Sequence, residues 1–196
     1  MVNSSVNLLP RLFGDTTYFA RMSLYKEVIL LTNSRFRKQH KVNAYTILGV
    51  NGTQTLTVPL ESHRNDLCYR DVKIAYHEPW ASKHLHSIRS AYGNSPYFEH
   101  YFDDIRYLLE KKFVYIVDLN IASLEYICNK IKIKDLVISI DHTDLKAQNN
   151  PIEVIPSSIP EYLQVWTGKH TFVPNLSIID LLFCHGPESK TFLPNF

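Results

Sequence analysis

Residues 6–32 constrain the fold more than any other stretch. Val6 to Leu9 is a short apolar strand ended by Pro10, and Phe13-Gly14-Asp15 opens a helix with Tyr18, Phe19 and Met22 at core spacing. Glu27 to Thr32, EVILLT, then reads as a strand buried on both faces. Strand, helix and strand within about 25 residues give a βαβ unit with a parallel pair. In such units ligands sit beyond the carboxyl ends of the strands, here near Pro10–Asp15 and Asn33–Lys38. The first loop holds one glycine and no phosphate-cradling glycine motif.

The texture then changes. AYTILGV and TQTLTVPL flank Asn51-Gly52, the strongest short hairpin signal, so this pair is expected to be antiparallel. Just before it, Arg35, Arg37, Lys38, Gln39, His40 and Lys41 form a basic cluster that suits either a charge-protected edge or an anion site. Residues 61–70 read as a mobile loop and Val72–Tyr76 as a short strand.

Aromatic, basic and hydroxyl side chains crowd most densely from Trp80 to Tyr101. Glu78 and Pro79 suit the start of a helix over 80–92, and Gly93, Asn94, Ser95 and Pro96 its end. Trp80, His84, Ser87, Ile88 and Ala91 would share one side, beside a polar stripe of Lys83, Ser87, Ser90 and Asn94. Periodicity predicts further helices over 97–111 and 117–131, with Asp118 or Asn120 as N-cap of the second. Lys134–Ile140 adds a strand, and 141–160 a polar loop or flap. A last helix begins near Asn175 or Ser177, with Asp180 placed as in a capping box, and stops at Gly186-Pro187. The expected class is therefore mixed α/β: an N-terminal βαβ unit joined to an antiparallel hairpin, with central and C-terminal helices packed around one sheet.

A length of 196 residues suits one domain spanning 1–196. A net charge of +2 without a long basic run disfavours nucleic acid as a partner. Cys68, Cys128 and Cys184 have no metal-finger spacing, and with His84 and His86 on different helix faces no metal site is expected. No apolar run is long enough to span a bilayer and no secretory h-region opens the chain, which points to a cytoplasmic location. Cofactor and oligomeric state are left open.

LLPRLFGDTTYFARM, KQ followed by Asn43, LTVPL, WASKH with SAYGNSPYF, and FVPNLSIIDLLFCHGP together resemble the WbqC-like family across nearly the whole chain. The resemblance implies a bacterial protein of O-antigen and other surface-polysaccharide biosynthesis. It puts weight on Lys38, Gln39, Asn43, Trp80, Lys83, His84, Tyr92, Asn175, Ser177 and Asp180. Val42 and Ala44 stand where flanking arginines are expected, so an anion-binding role there would pass to Arg37 and Lys41.

These residues suggest a transferase that acylates or aminoacylates a nucleotide- or lipid-linked amino sugar. His84 would be the base, kept neutral by the neighbouring Lys83 ammonium. Lys83 and Lys38 would contact the anion or oxyanion, and Trp80 and Tyr92 would stack on the sugar. Gln39, Asn43, Asn175, Ser177 and Asp180 complete the substrate-binding set, with Asp180 structural first. The alternative is a noncatalytic module that binds a sugar nucleotide or scaffolds a pathway enzyme. A hydrolase with Cys128 or Cys184 as nucleophile is a third reading.

Overall fold

A computed structural model describes residues 5–62, 67–133, 137–140 and 160–193. Strand β1 (Ser5–Leu8) pairs in parallel with β2 (Glu27–Leu30), and β2 pairs in parallel with β5 (Val137–Ile140), giving the order β1-β2-β5. Helix α1 (Thr16–Ser23) makes the crossover between the first two strands. Asp15 caps it, its Oδ1 accepting the Tyr18 N–H at 2.8 Å. The expected βαβ unit is present.

The hairpin of β3 (Ala44–Gly49) and β4 (Gly52–Thr57) is antiparallel, as expected. Its turn sits one residue early: Gly49 faces Gly52, so Val50 and Asn51 form the loop. Gly52 follows at φ +107°, a conformation that only glycine adopts without strain. The hairpin forms a second small sheet rather than joining the first. Part of the reason lies on β3's other side, where the Ser177 N–H bonds the Thr46 carbonyl at 2.9 Å and occupies the backbone that a third strand would need.

Helices α2 (Trp80–Tyr92), α3 (Phe98–Glu110) and α4 (Ile116–Lys130) lie where periodicity put them. The N-cap of α4 is Tyr115, however, so neither Asp118 nor Asn120 caps it; Asn120 is buried inside the helix. Val72–Tyr76 is not a strand. Its pairing is limited to isolated bridges, Leu60 with Ile74 and Lys73 with Tyr115. The expected loop over 61–70 runs into a 3₁₀ turn at Tyr69–Asp71, and residues 63–66 lie outside the described residues. So do 134–136, at the start of the expected last strand, and all but Pro160 of the proposed 141–160 flap.

Helix α5 (Ile178–His185) explains the packing. Every residue from Ile178 to Cys184 is buried, as in a helix apolar nearly all round, which must sit at the centre of a fold. One core cluster joins α5 to both sheets and to α1–α4. A smaller cluster of Leu9, Leu31, Val42 and Tyr69 closes the carboxyl ends of β1 and β2. No helix among the described residues is long and apolar enough to cross a membrane.

Candidate functional site

Three segments distant in sequence meet beyond the carboxyl end of β1. Arg11, Phe13, Gly14 and Asp15 come from the loop after β1, Lys41, Ala44, Tyr45 and Thr46 from the start of β3, and Asn175 and Ser177 from the approach to α5. They line a cleft of about 130 Å³. Ala44, where the family resemblance leads one to expect arginine, lines it together with Lys41.

The backbone around this cleft is strained. Among the described residues four non-glycine positions have positive φ, and three of them line the cleft: Phe13 at 40°, Lys41 at 47° and Asn175 at 57°. Such conformations cost energy and persist only where the surroundings enforce them, which makes their clustering a marker of function. Here the enforcement is visible. The Ser177 hydroxyl donates to the Phe13 carbonyl at 2.7 Å, and Asn175 Oδ1 accepts the Thr17 N–H at 3.1 Å and the Thr17 hydroxyl at 2.6 Å. Asn175 thereby helps cap α1. Gly14 is required by a close approach, since a Cβ there would lie 2.7 Å from the Tyr18 ring.

The cleft carries both signs of charge with cations in excess. Arg11 Nη1 lies 3.3 Å from Asp15 Oδ2. Burial holds the Asp15 carboxyl above the usual carboxylate range, against the pull of the Tyr18 N–H and Arg11. The charges of Arg37 and Arg11 both reach His40, whose imidazole is lowered by burial first and by these guanidinium groups second. His40 Nδ1 is hydrogen bonded to the Tyr69 hydroxyl, and burial pushes that phenol up to about 12. Arg11 and Lys41 are the cations lining the cleft and Asp15 its one acid, while Arg37 acts on the neighbouring His40.

The residues singled out by sequence are dispersed relative to this cleft. Asn175 and Ser177 line it. Lys38 and Gln39 are exposed on a 3₁₀ turn, Lys38–His40, which immediately precedes Lys41. Asn43 closes the hairpin mouth, its Nδ2 donating to the Val58 carbonyl at 2.7 Å. Lys83 points to solvent and pairs with Glu78 at 2.8 Å. Trp80 is buried, and its ring meets His84 edge-on at 5.3 Å between centroids, a core contact. Tyr92 is fully buried: its hydroxyl oxygen accepts the Leu48 N–H at 3.2 Å and its ring packs on Phe183.

His84 lies behind the cleft rather than in it. Its Nδ1 is 3.0 Å from the Tyr45 hydroxyl and its Nε2 is 3.3 Å from the Thr57 carbonyl. A carbonyl can only accept, so Nε2 carries the proton and Nδ1 accepts the Tyr45 O–H. Burial lowers the imidazole to about 4, opposed by the Thr57 carbonyl. The expected neutrality is present, but its cause is desolvation rather than the Lys83 ammonium. Tyr45, which lines the cleft, connects it to this imidazole.

Asp180 is buried in the first turn of α5. Its Oδ2 accepts the Tyr162 O–H at 2.7 Å and Gln164 Nε2 at 3.4 Å. Desolvation raises its pKa, opposed by Tyr162, Tyr92 and Gln164, although Oδ1 has no partner of good geometry among the described residues. There is no capping box: Ser177 Oγ is spent on Phe13, the Ser177 N–H goes to Thr46, and the carboxylate faces the tyrosines. Both candidate cysteine nucleophiles are buried with raised thiol pKa values, Cys128 to about 12, which disfavours the thiolate. Among the described residues no group of three or more His, Cys, Asp or Glu could hold a metal ion.

Sequence reasoning named Lys41 as part of the basic cluster and as a substitute for the missing arginines, and it missed Arg11, Asp15 and Tyr45 as individual site residues. The strand-end rule had pointed to Pro10–Asp15, which contains the first two; nothing local marked Tyr45. The assembled cleft can hold one anionic group against Arg11 and Lys41, with a carboxyl beside it.

Comparison with curated proteins and with solved structures finds no match. The family model of the WbqC-like protein family matches residues 10–150 and 137–192, which include every residue lining the cleft. The chain belongs to the WbqC-like protein family.

Proposed function

We propose that the cleft holds the charged group of a nucleotide-activated or lipid-linked amino sugar, and that the protein acylates or aminoacylates this sugar in bacterial surface-polysaccharide biosynthesis. The observation that carries the reading is the convergence of Arg11 and Lys41 on a small cleft with strained walls. Its volume of about 130 Å³ is well below the roughly 300–1,000 Å³ of pockets that enclose a whole drug-sized ligand. It suits one phosphate or carboxylate, with the rest of the sugar lying outside.

In the transfer, the acceptor amine attacks the acyl carbonyl and a C–N bond forms. The bond from the acyl carbon to the donor's leaving atom then breaks. Asp15 takes the proton that the amine loses, a role favoured by its raised pKa. Lys41 lies where it can offset charge gathering on the carbonyl oxygen. His84 acts at one remove, by fixing the Tyr45 hydroxyl. The reading places the protein in the cytoplasm.

A noncatalytic sugar-nucleotide binder is the second reading, favoured by one observation: both nitrogens of His84 are engaged by the protein, leaving no free imidazole base. Calorimetric titration with UDP-N-acetylglucosamine tests the binding common to both. Arg11→Met and Lys41→Met should each weaken it by about tenfold or more, the value of a charge-assisted hydrogen bond. Mass spectrometry of UDP-glucosamine, whose amine is free to accept the acyl group, after incubation with acyl-thioester and aminoacyl donors separates the two. Transfer that is lost in Asp15→Asn supports the enzyme, and binding without transfer supports the binder. Absence of binding by the wild type defeats both.

A further inference from the structure

Asn120 is an odd residue for its place. It sits within α4 and is 1% exposed, although asparagine is a weak helix former that favours turns and caps. Its side-chain amide has two hydrogens, and each goes to a different loop: Nδ2 donates to the Pro10 carbonyl at 3.0 Å and to the Val42 carbonyl at 3.0 Å. Pro10 immediately precedes Arg11, and Val42 immediately follows Lys41. The Leu12 N–H reaches the same Val42 carbonyl at 3.1 Å, closing a three-way junction beneath the cleft. One turn along the helix, Ser123 Oγ donates to the Asn120 carbonyl at 2.8 Å and meets the Phe13 N–H at 3.5 Å.

The bonds are bought at a cost, because Oδ1 of Asn120 is buried without a partner among the described residues. An apolar side chain here would remove that penalty and add to the core, but it would leave the two loops untied. We propose that Asn120 is a positioning residue: its amide clamps the Pro10 and Val42 carbonyls and so sets the separation of the Arg11 and Lys41 cations to match one anionic group. The inference rests on the reading of the cleft as an anion site.

The test compares wild type with Asn120→Ala, using inorganic pyrophosphate as the probe in calorimetric titration and hydrogen exchange to follow the Leu12 amide. Asn120→Ala should weaken pyrophosphate by about tenfold and accelerate Leu12 exchange. A general loss of stability is separated by Leu124→Ala, a buried change in the same helix, which should lower Tm without changing pyrophosphate affinity. Coupling is read in an Arg11→Met background, where adding Asn120→Ala should cost less than about twofold, since there is then no pair of cations to space. If Asn120→Ala does not fold, Asn120→Ser replaces it throughout. A lowered Tm with unchanged affinity overturns the proposal, as does a full loss repeated in the Arg11→Met background. A wild type that binds no pyrophosphate defeats the anion reading itself. Leu12 exchange unchanged in the variant defeats the clamp whatever the anion result.

Discussion

Helix α2 and the cleft differ in how their residues are used. Helix α2 holds the densest run of aromatic, basic and hydroxyl side chains in the chain, yet its inward members are consumed by packing. Trp80 meets His84, His84 is hydrogen bonded on both nitrogens, and Tyr92 is fully buried against Phe183. The cleft draws a few residues from each of three segments distant in sequence, and there charge stays partly exposed and backbone strain accumulates. Local density therefore marks the scaffold here, while the site is assembled by long-range contact. Each prediction below breaks or sharpens this contrast.

The largest effect should follow Tyr92→Ala. Removing a fully buried ring should cost about 3–5 kcal/mol in urea unfolding. Tyr92→Phe should cost about 1–3 kcal/mol, by leaving the Leu48 N–H without its acceptor. Sugar-nucleotide affinity measured where each variant is still folded should hold. A Tyr92→Phe protein of normal stability that has lost the ligand would move the site into the helix.

Next in size is the pH response of His84. Its imidazole titrates at about 4 when folded and near the ordinary 6.5 when unfolded. Above 6.5 both states are neutral and the stability is fully present. As pH falls from about 6.5 toward 4 the unfolded chain takes the proton first, and roughly 3 kcal/mol is lost. Asp180, with a raised folded pKa, works in the opposite sense, so the wild type must be compared with His84→Gln. Urea midpoints at pH 7.5 and 4.5 should fall less in His84→Gln; equal falls would mean an imidazole accessible to water and open to the cleft.

What the sequence made legible divides along the same line. Helices α2, α3 and α4 were readable to within a residue or two because their signals, apolar period and flanking breakers, are local. The parallel β1–β2 pair was readable from its crossover, and the hairpin from Asn51-Gly52. Asp180 was misread because a carboxyl three residues after a serine looks the same whether it faces the helix end or, as here, Tyr162. Tyr45 carried no local mark: its role comes from His84, which lies on another element. The hairpin's separation from the first sheet was likewise hidden, since it depends partly on Ser177 meeting Thr46 across the fold.

A smaller effect is expected at Asn175, which combines a left-handed backbone with a cap on α1. Asn175→Gly keeps the backbone freedom and loses the cap, so about 1 kcal/mol should disappear. Asn175→Ala should cost more than the glycine variant, because alanine also resists positive φ. Reversal of that order in thermal unfolding would remove backbone strain from the account of the cleft wall.

The smallest effect, and the sharpest test of the comparison, is Lys83→Met. Lys83 is the most motif-like cation in the chain, flanked by Ser82 and His84, and sequence alone makes it an anion contact. In the fold its side chain is 63% exposed and its ammonium pairs with an equally open Glu78. Solvent screens such a pair and side-chain entropy opposes it, so the bond contributes little. Glu78 has a lowered pKa with Lys83 as its first cause, but the group lies in open water and the shift reports proximity rather than stored stability. Lys83→Met should leave Tm, pyrophosphate affinity and UDP-N-acetylglucosamine affinity unchanged, while Lys41→Met in the same assays lowers both affinities. Were the two variants to weaken binding equally, the ligand would have to extend from the cleft to the start of α2, and the division between scaffold and site would fail at that residue.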